Sequence, residues 1–177
     1  MLLTADGAVL LLIDLQQRLM PVIHDHEAVE ARAVRLAEAA QLLDVPIRAT
    51  EQNPAGLGST VPPLAAYPQA TLAKTTFSAA ADPGFSALLP PGAGQVIVAG
   101  VEAHVCVMQT VLGLLGSGRR VVVAADAVGS RDPADRAVAL DRARQHGAEV
   151  VTSEMVLFEW LHDSRHPKFR EVQKLLR

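Results

Sequence analysis

QVIVAGVEAHVCV, residues 95–107, carries a seven-residue apolar run and then a lone cysteine. An uncharged run of that length reads as a strand buried on both faces, which is the signature of a parallel sheet rather than of a half-exposed one. The residues from Ala103 to Leu115 then read as a helix, so Cys106 falls just past a strand end and near a helix N-terminus.

The same alternation extends in both directions. Upstream, AVLLLID at 8–14 is a second continuous apolar run, and 46–51 and 70–74 read as shorter strands. Between them, residues 27–43 place Leu36, Ala37, Ala40 and Leu43 on one face at helical spacing. Residues 53–63, rich in Gly, Pro, Ser and Thr, read as a long loop. Downstream, RVVVAA at 120–125 and the segment 149–152 read as strands. They flank a helix over 132–146, with Asp132 as N-cap before Pro133 and Gly147 as the left-handed residue at its end. Helices are expected from Ser153 and over 167–177. Strands alternating with helices predict an α/β layer structure with a parallel sheet, whose ligands bind beyond the carboxyl ends of the strands.

Composition fits one domain spanning residues 1–177. Half of the residues are hydrophobic, a fifth are charged and only 3% are aromatic, so the core must be built from aliphatic side chains. A formal charge of −3 without a basic block argues against nucleic-acid and membrane-surface partners. The run 8–13 is too short to span a bilayer, and a single cysteine rules out an internal disulfide and a cysteine-rich zinc site. A cytoplasmic protein is expected.

Three polar residues stand at strand ends. Asp14 closes the first run, Lys74 closes the third strand, and Cys106 follows the fourth. Each has an ordinary alternative: a capping aspartate, a surface lysine with its stem laid along apolar neighbours, an inert packed thiol. Lys74 is nevertheless one of only three lysines, the others being Lys168 and Lys174 in the polar C-terminal segment. Taken together, a helix N-terminus and a lysine would stabilise a thiolate, and a nearby carboxylate would take the thiol proton. GLLGSG at 113–118 is not a phosphate loop, because it follows a helix rather than a strand. The first strand likewise leads into Asp14-Leu15-Gln16-Gln17, not into a glycine-rich turn, which counts against a nucleotide-binding module.

GVEAHVCV at 100–107, LLIDLQQRL at 11–19, AKTTFSA at 73–79 and DAVGSR at 126–131, in this order, resemble the isochorismatase-like cysteine hydrolases. TEQNPAGLGST at 50–60 and HPKFREVQKLL at 166–176 bring the likeness closest to the isochorismatase-domain-containing subgroup, which also shares Ala103. The resemblance implies a three-layer α/β/α fold whose six parallel strands run in the order 3-2-1-4-5-6. It implies a catalytic set of Asp14, Lys74 and Cys106, a cis peptide between Val101 and Glu102, and an oxyanion hole from the N–H groups of Glu102 and Cys106. Gln16, Phe77 and His104 are the implied substrate-binding residues, with walls from the 53–63 loop and the 128–131 turn. The metal-binding members carry Asp and His after the second strand; here that region reads Glu51, Gln52, Asn53, so neither metal nor cofactor is expected. The implied activity is hydrolysis of a small amide-like molecule through a thioester, by a chain that forms homo-oligomers. The alternative is a member that keeps the fold but only binds or scaffolds.

Overall fold

The computed structural model of the protein describes residues 1–176. Six strands form one sheet in the order β3-β2-β1-β4-β5-β6, and every neighbouring pair is parallel. The strands are β1 (Ala8–Ile13), β2 (Ile47–Gln52), β3 (Ala70–Lys74), β4 (Gln95–Val101), β5 (Arg120–Gly129) and β6 (Glu149–Val151). The helices are α1 (His26–Leu42), α2 (Pro54–Leu57), α3 (Phe85–Leu88), α4 (Met108–Gly116), α5 (Pro133–Gln145), α6 (Ser153–Leu161) and α7 (Phe169–Lys174).

The continuous apolar runs are the central strands. All residues of β1 and β4 are buried, because helices cover both faces. Alternate side chains serve opposite layers. Leu10 and Leu12 of β1 pack with Ile97 and Ala99 of β4 against α1, α6 and α7. Val9, Leu11 and Ile13 pack with Val96 and Val98 against α3, α4 and α5. Among the described residues no helix is long and apolar enough to cross a membrane.

Asp132 caps α5 as expected, its Oδ1 accepting the Ala134 N–H at 2.8 Å, and Gly147 has φ +97°. Four expectations need correction. The 53–63 loop contains the short helix α2, which Pro54 starts at its first turn. The helix expected over 103–115 begins instead as a π turn, Ala103–Val107, in which the Val107 N–H reaches five residues back to Glu102 O at 3.2 Å. Strand β5 runs four residues beyond the expected 125, after a register shift in which Val98 pairs with Val123 but Gly100 with Val128. The helix expected over 167–177 covers only Phe169–Lys174, and its last expected residue, Arg177, lies outside the described residues.

Candidate active site

The carboxyl ends of β1, β2, β3 and β4 converge on one buried polar cluster. Asp14, the first residue after β1, adopts φ +53° and is fully buried. Aspartate tolerates this left-handed conformation better than most residues. Its N–H donates to Thr50 O at 3.1 Å, which ties the turn to β2.

Both oxygens of its carboxylate are engaged. Thr50 Oγ1 donates to Oδ1 at 2.6 Å, and Lys74 Nζ donates to Oδ2 at 2.8 Å. The Lys74 and Asp14 side chains are both fully inaccessible. An unpaired charge in such a place would cost several kcal/mol, so each ion depends on the other. The ammonium is also held by Gln52 Oε1 at 2.8 Å, Thr76 O at 3.2 Å and Phe77 O at 3.4 Å. Its three N–H groups are thus taken by protein acceptors.

Cys106 lies in the π turn after β4, near enough to Asp14 for the carboxylate's charge to act on its thiol. Its ionisation reverses one expectation. Burial, then the Asp14 charge, push the thiol up to about 12, while Lys74 pulls it down less strongly. The Asp14 hydrogen bond and the Glu102 charge add to the upward push. The resting group is a protonated thiol, not a stabilised thiolate, because burial and the Asp14 charge outweigh the pull of Lys74. A carboxylate within reach of a thiol can instead take the proton as the sulfur attacks.

The turn itself is unusual. The Val101–Glu102 peptide is cis. The Glu102 N–H lies past the end of the β4 ladder and donates to no protein acceptor among the described residues. The Glu102 carboxylate turns aside to the 128–131 region, where its Oε2 accepts from Arg131 N at 3.0 Å and Arg131 Nε at 3.1 Å. Gly100 is required just before it. With φ +136°, a Cβ at this position would lie 2.1 Å from Ile13 O, so only glycine lets β4 pass β1 here.

Of the residues implied for substrate binding, none joins this cluster through its side chain. Gln16 is fully buried and entirely committed to other partners. Its Nε2 donates to Gln52 O at 3.1 Å and Gly58 O at 2.6 Å, and its Oε1 accepts the Gln52 N–H at 2.8 Å. It braces the 53–60 segment against β2, with both amide hydrogens and the carbonyl oxygen turned onto the backbone. Phe77 is 54% exposed, and it is its carbonyl, not its ring, that meets Lys74. His104 is bracketed by Ser130 Oγ, 3.0 Å from Nδ1, and Asp135 Oδ2, 3.6 Å from Nε2, which join the π turn to the start of α5.

Thr50, Gln52 and Arg131 were not singled out from the sequence. A signal for the first two exists: they are polar residues at i and i+2 near the end of β2, so they share a face. Among the described residues, no group of three or more His, Cys, Asp and Glu side chains is placed to hold a metal ion.

Comparison with known proteins agrees with this architecture. Residues 8–155 match the isochorismatase domain. The chain is 43% identical to isochorismatase domain-containing protein 2 of Danio rerio, over 98% of this chain and 89% of that one. A solved Caenorhabditis elegans protein described as MAR1 ribonuclease superposes with a TM-score of 0.93 at 38% identity, covering 99% of this chain and 92% of that one. YcaC is similar at 25% identity in two species. The Pseudomonas aeruginosa protein, solved with hexane-2,5-diol and covalent acrylamide, has a TM-score of 0.89 and covers 98% and 91%. The Escherichia coli protein, described as an octameric hydrolase of unknown specificity, has a TM-score of 0.85 and covers 98% and 95%. With residues 8–155 matching the domain and relatives above 40% identity over nearly all of this chain, this chain belongs to the isochorismatase family.

Proposed function

We propose that the chain is a cysteine hydrolase that cleaves a small amide-like C–N bond through a thioester on Cys106, within a single domain of residues 1–177. One observation carries this reading: the Asp14 carboxylate is fixed by Thr50 and Lys74 and lies near enough to Cys106 for its charge to act on the thiol. A base, a cation and a nucleophile from three strand ends are gathered in one buried region.

In the proposed reaction the thiol proton passes to Asp14 while the sulfur bonds to the carbonyl carbon. The carbonyl π electrons move to oxygen, where the N–H groups of Glu102 and Cys106 receive the negative charge. Collapse of this intermediate breaks the C–N bond, and the leaving nitrogen takes the proton from Asp14. Water then attacks the thioester and gives a proton to Asp14. The carboxylic acid departs as the C–S bond breaks, and the proton returns to sulfur. Lys74 pairs with Asp14 and orients it; with its donors already used, it does not hold substrate.

The covalent acrylamide of the P. aeruginosa YcaC fits a relative with a group reactive towards a small amide-bearing molecule. The octameric E. coli protein supports assembly into a homo-oligomer, for which the exposed Met155 and Phe158 of α6 offer apolar surface. A reducing cytoplasmic setting would keep the lone thiol free.

The test is ammonia release from a panel of small primary amides by wild type, Cys106→Ala and Asp14→Asn. The expected result is turnover by wild type alone. Hydrolysis that survives in Cys106→Ala overturns the thioester route. A wild type inactive on the whole panel, yet retaining a panel member in equilibrium dialysis, points to the binding protein instead.

A further inference from the structure

Asp14 is gripped twice by one residue. Thr50 receives the Asp14 N–H on its carbonyl at 3.1 Å and donates its hydroxyl to Asp14 Oδ1 at 2.6 Å. Thr50 is fully buried and sits in β2, paired in register with Ile13 of β1 and Leu72 of β3. Its position is therefore set by the middle of the sheet and not by a loop. The donor direction follows from the partner: an ionised carboxylate paired with Lys74 only accepts.

The charges facing Asp14 come from two sides. Lys74 approaches from β3 onto Oδ2, and the π turn brings the Cys106 thiol, with the Glu102 carboxylate near enough to oppose ionisation of that thiol. Without the hydroxyl, Oδ1 would lose its Thr50 donor in a dry site, and the carboxylate would be freer to turn. We propose that Thr50 is a positioning residue of the active site, which acts on Cys106 only through Asp14 by fixing the plane of its carboxylate and offsetting part of its charge.

This inference rests on the reading that Asp14 controls the Cys106 thiol, and the experiment separates the two. The probe is acrylamide at pH 8, with adduct formation followed by intact mass; the lone cysteine makes the product a single species. At pH 8 the adduct forms from the thiolate present at equilibrium, whose formation the Asp14 charge opposes; in Asp14→Asn alkylation is therefore expected to quicken by about tenfold or more. Thr50→Val keeps the shape but lacks the donor. Its Asp14 charge is less compensated and alkylation is expected to slow by about three- to tenfold. Thr50→Ala is expected to do the same should valine disturb folding, and Thr50→Ser is expected to restore the wild-type rate within about twofold. In the Asp14→Asn background, Thr50→Val is expected to change nothing further.

A Thr50→Val rate equal to wild type, or an effect that persists in the Asp14→Asn background, makes Thr50 an ordinary buried threonine and overturns the proposal while leaving Asp14 in its role. An Asp14→Asn rate equal to wild type removes that role itself, and the Thr50 proposal with it.

Discussion

The two ends of the sheet are built to opposite rules. At the amino end lies a cavity of about 580 Å³ between the 5–8 turn, the 43–46 turn and the 90–93 turn, lined mainly by Ala, Gly, Pro and Leu, with Asp6 and Asp44 as its only charged residues. At the carboxyl end the chemistry is concentrated: Asp14, Thr50 and Lys74 are buried, with Thr50 and Lys74 both bonded to the Asp14 carboxylate, and Cys106 is nearly closed off. Space without convergent polar groups identifies no function. The informative end is the one where polar groups are buried at a cost and then fully paired.

A glycine-to-alanine exchange at each end gives the largest contrast. At Gly100 the new Cβ would stand 2.1 Å from Ile13 O and 2.7 Å from Ile13 N, both backbone atoms of the neighbouring strand that cannot swing away. Gly100→Ala is expected to lose about 4 kcal/mol or more, enough to prevent folding. At Gly92 no atom lies within 4 Å of the new Cβ, and only the left-handed φ of +78° opposes it. Gly92→Ala is expected to cost about 1 kcal/mol. Urea denaturation of both variants checks this. Similar costs would mean that β4 can move away from β1, and that the tight crossing beside the candidate site is not fixed.

Charge removal gives the next contrast. Lys74→Met leaves the buried Asp14 carboxyl group without its ion-pair partner, and is expected to cost about 3–5 kcal/mol. Asp44 lines the open cavity in a left-handed conformation, φ +56°, that asparagine also accepts. Asp44→Asn is expected to stay within about 0.5 kcal/mol of wild type. Denaturant midpoints decide the matter, and a Lys74→Met protein as stable as Asp44→Asn would show that the buried ion pair does not carry its apparent weight.

These contrasts also show what the sequence made legible. The apolar runs at 8–13 and 95–101 announce strands covered on both faces, because nothing else buries so many consecutive aliphatic residues in so short a length. Strand ends are legible for the same reason: a charge such as Asp14 or Lys74 ends the run. Contacts made across the sheet leave no such trace. Thr50 and Asp14 are separated by 36 residues, and nothing in TEQN says that the threonine points at a carboxylate. The π turn at Cys106 was read as α-helix because five residues are too few for periodicity to tell one from the other. Gln16 misled in the opposite way. Resemblance put it beside the pocket, and it is near; but its amide is turned onto the backbone of Gln52 and Gly58.

The finest contrast is in pH. Cys106 titrates at about 12 in the fold, against an ordinary value of 9.0, with burial the largest cause and the Asp14 charge the next. A group whose folded value is raised stabilises the fold through its protonated form. That contribution is complete below pH 9 and is lost as pH rises towards 12. Wild type should therefore fall relative to Cys106→Ala by about 1 kcal/mol at pH 10 and by at most about 4 kcal/mol at pH 12. Every other group that ionises in alkali is present in both proteins, so the difference between the two curves belongs to the thiol. Asp44→Asn, at the other end of the sheet, should follow the wild-type curve throughout. Parallel curves for wild type and Cys106→Ala would mean that the thiol ionises as it does in the unfolded chain. Asp14 would then exert no hold on its proton, and the base assigned to the reaction would have to be sought elsewhere.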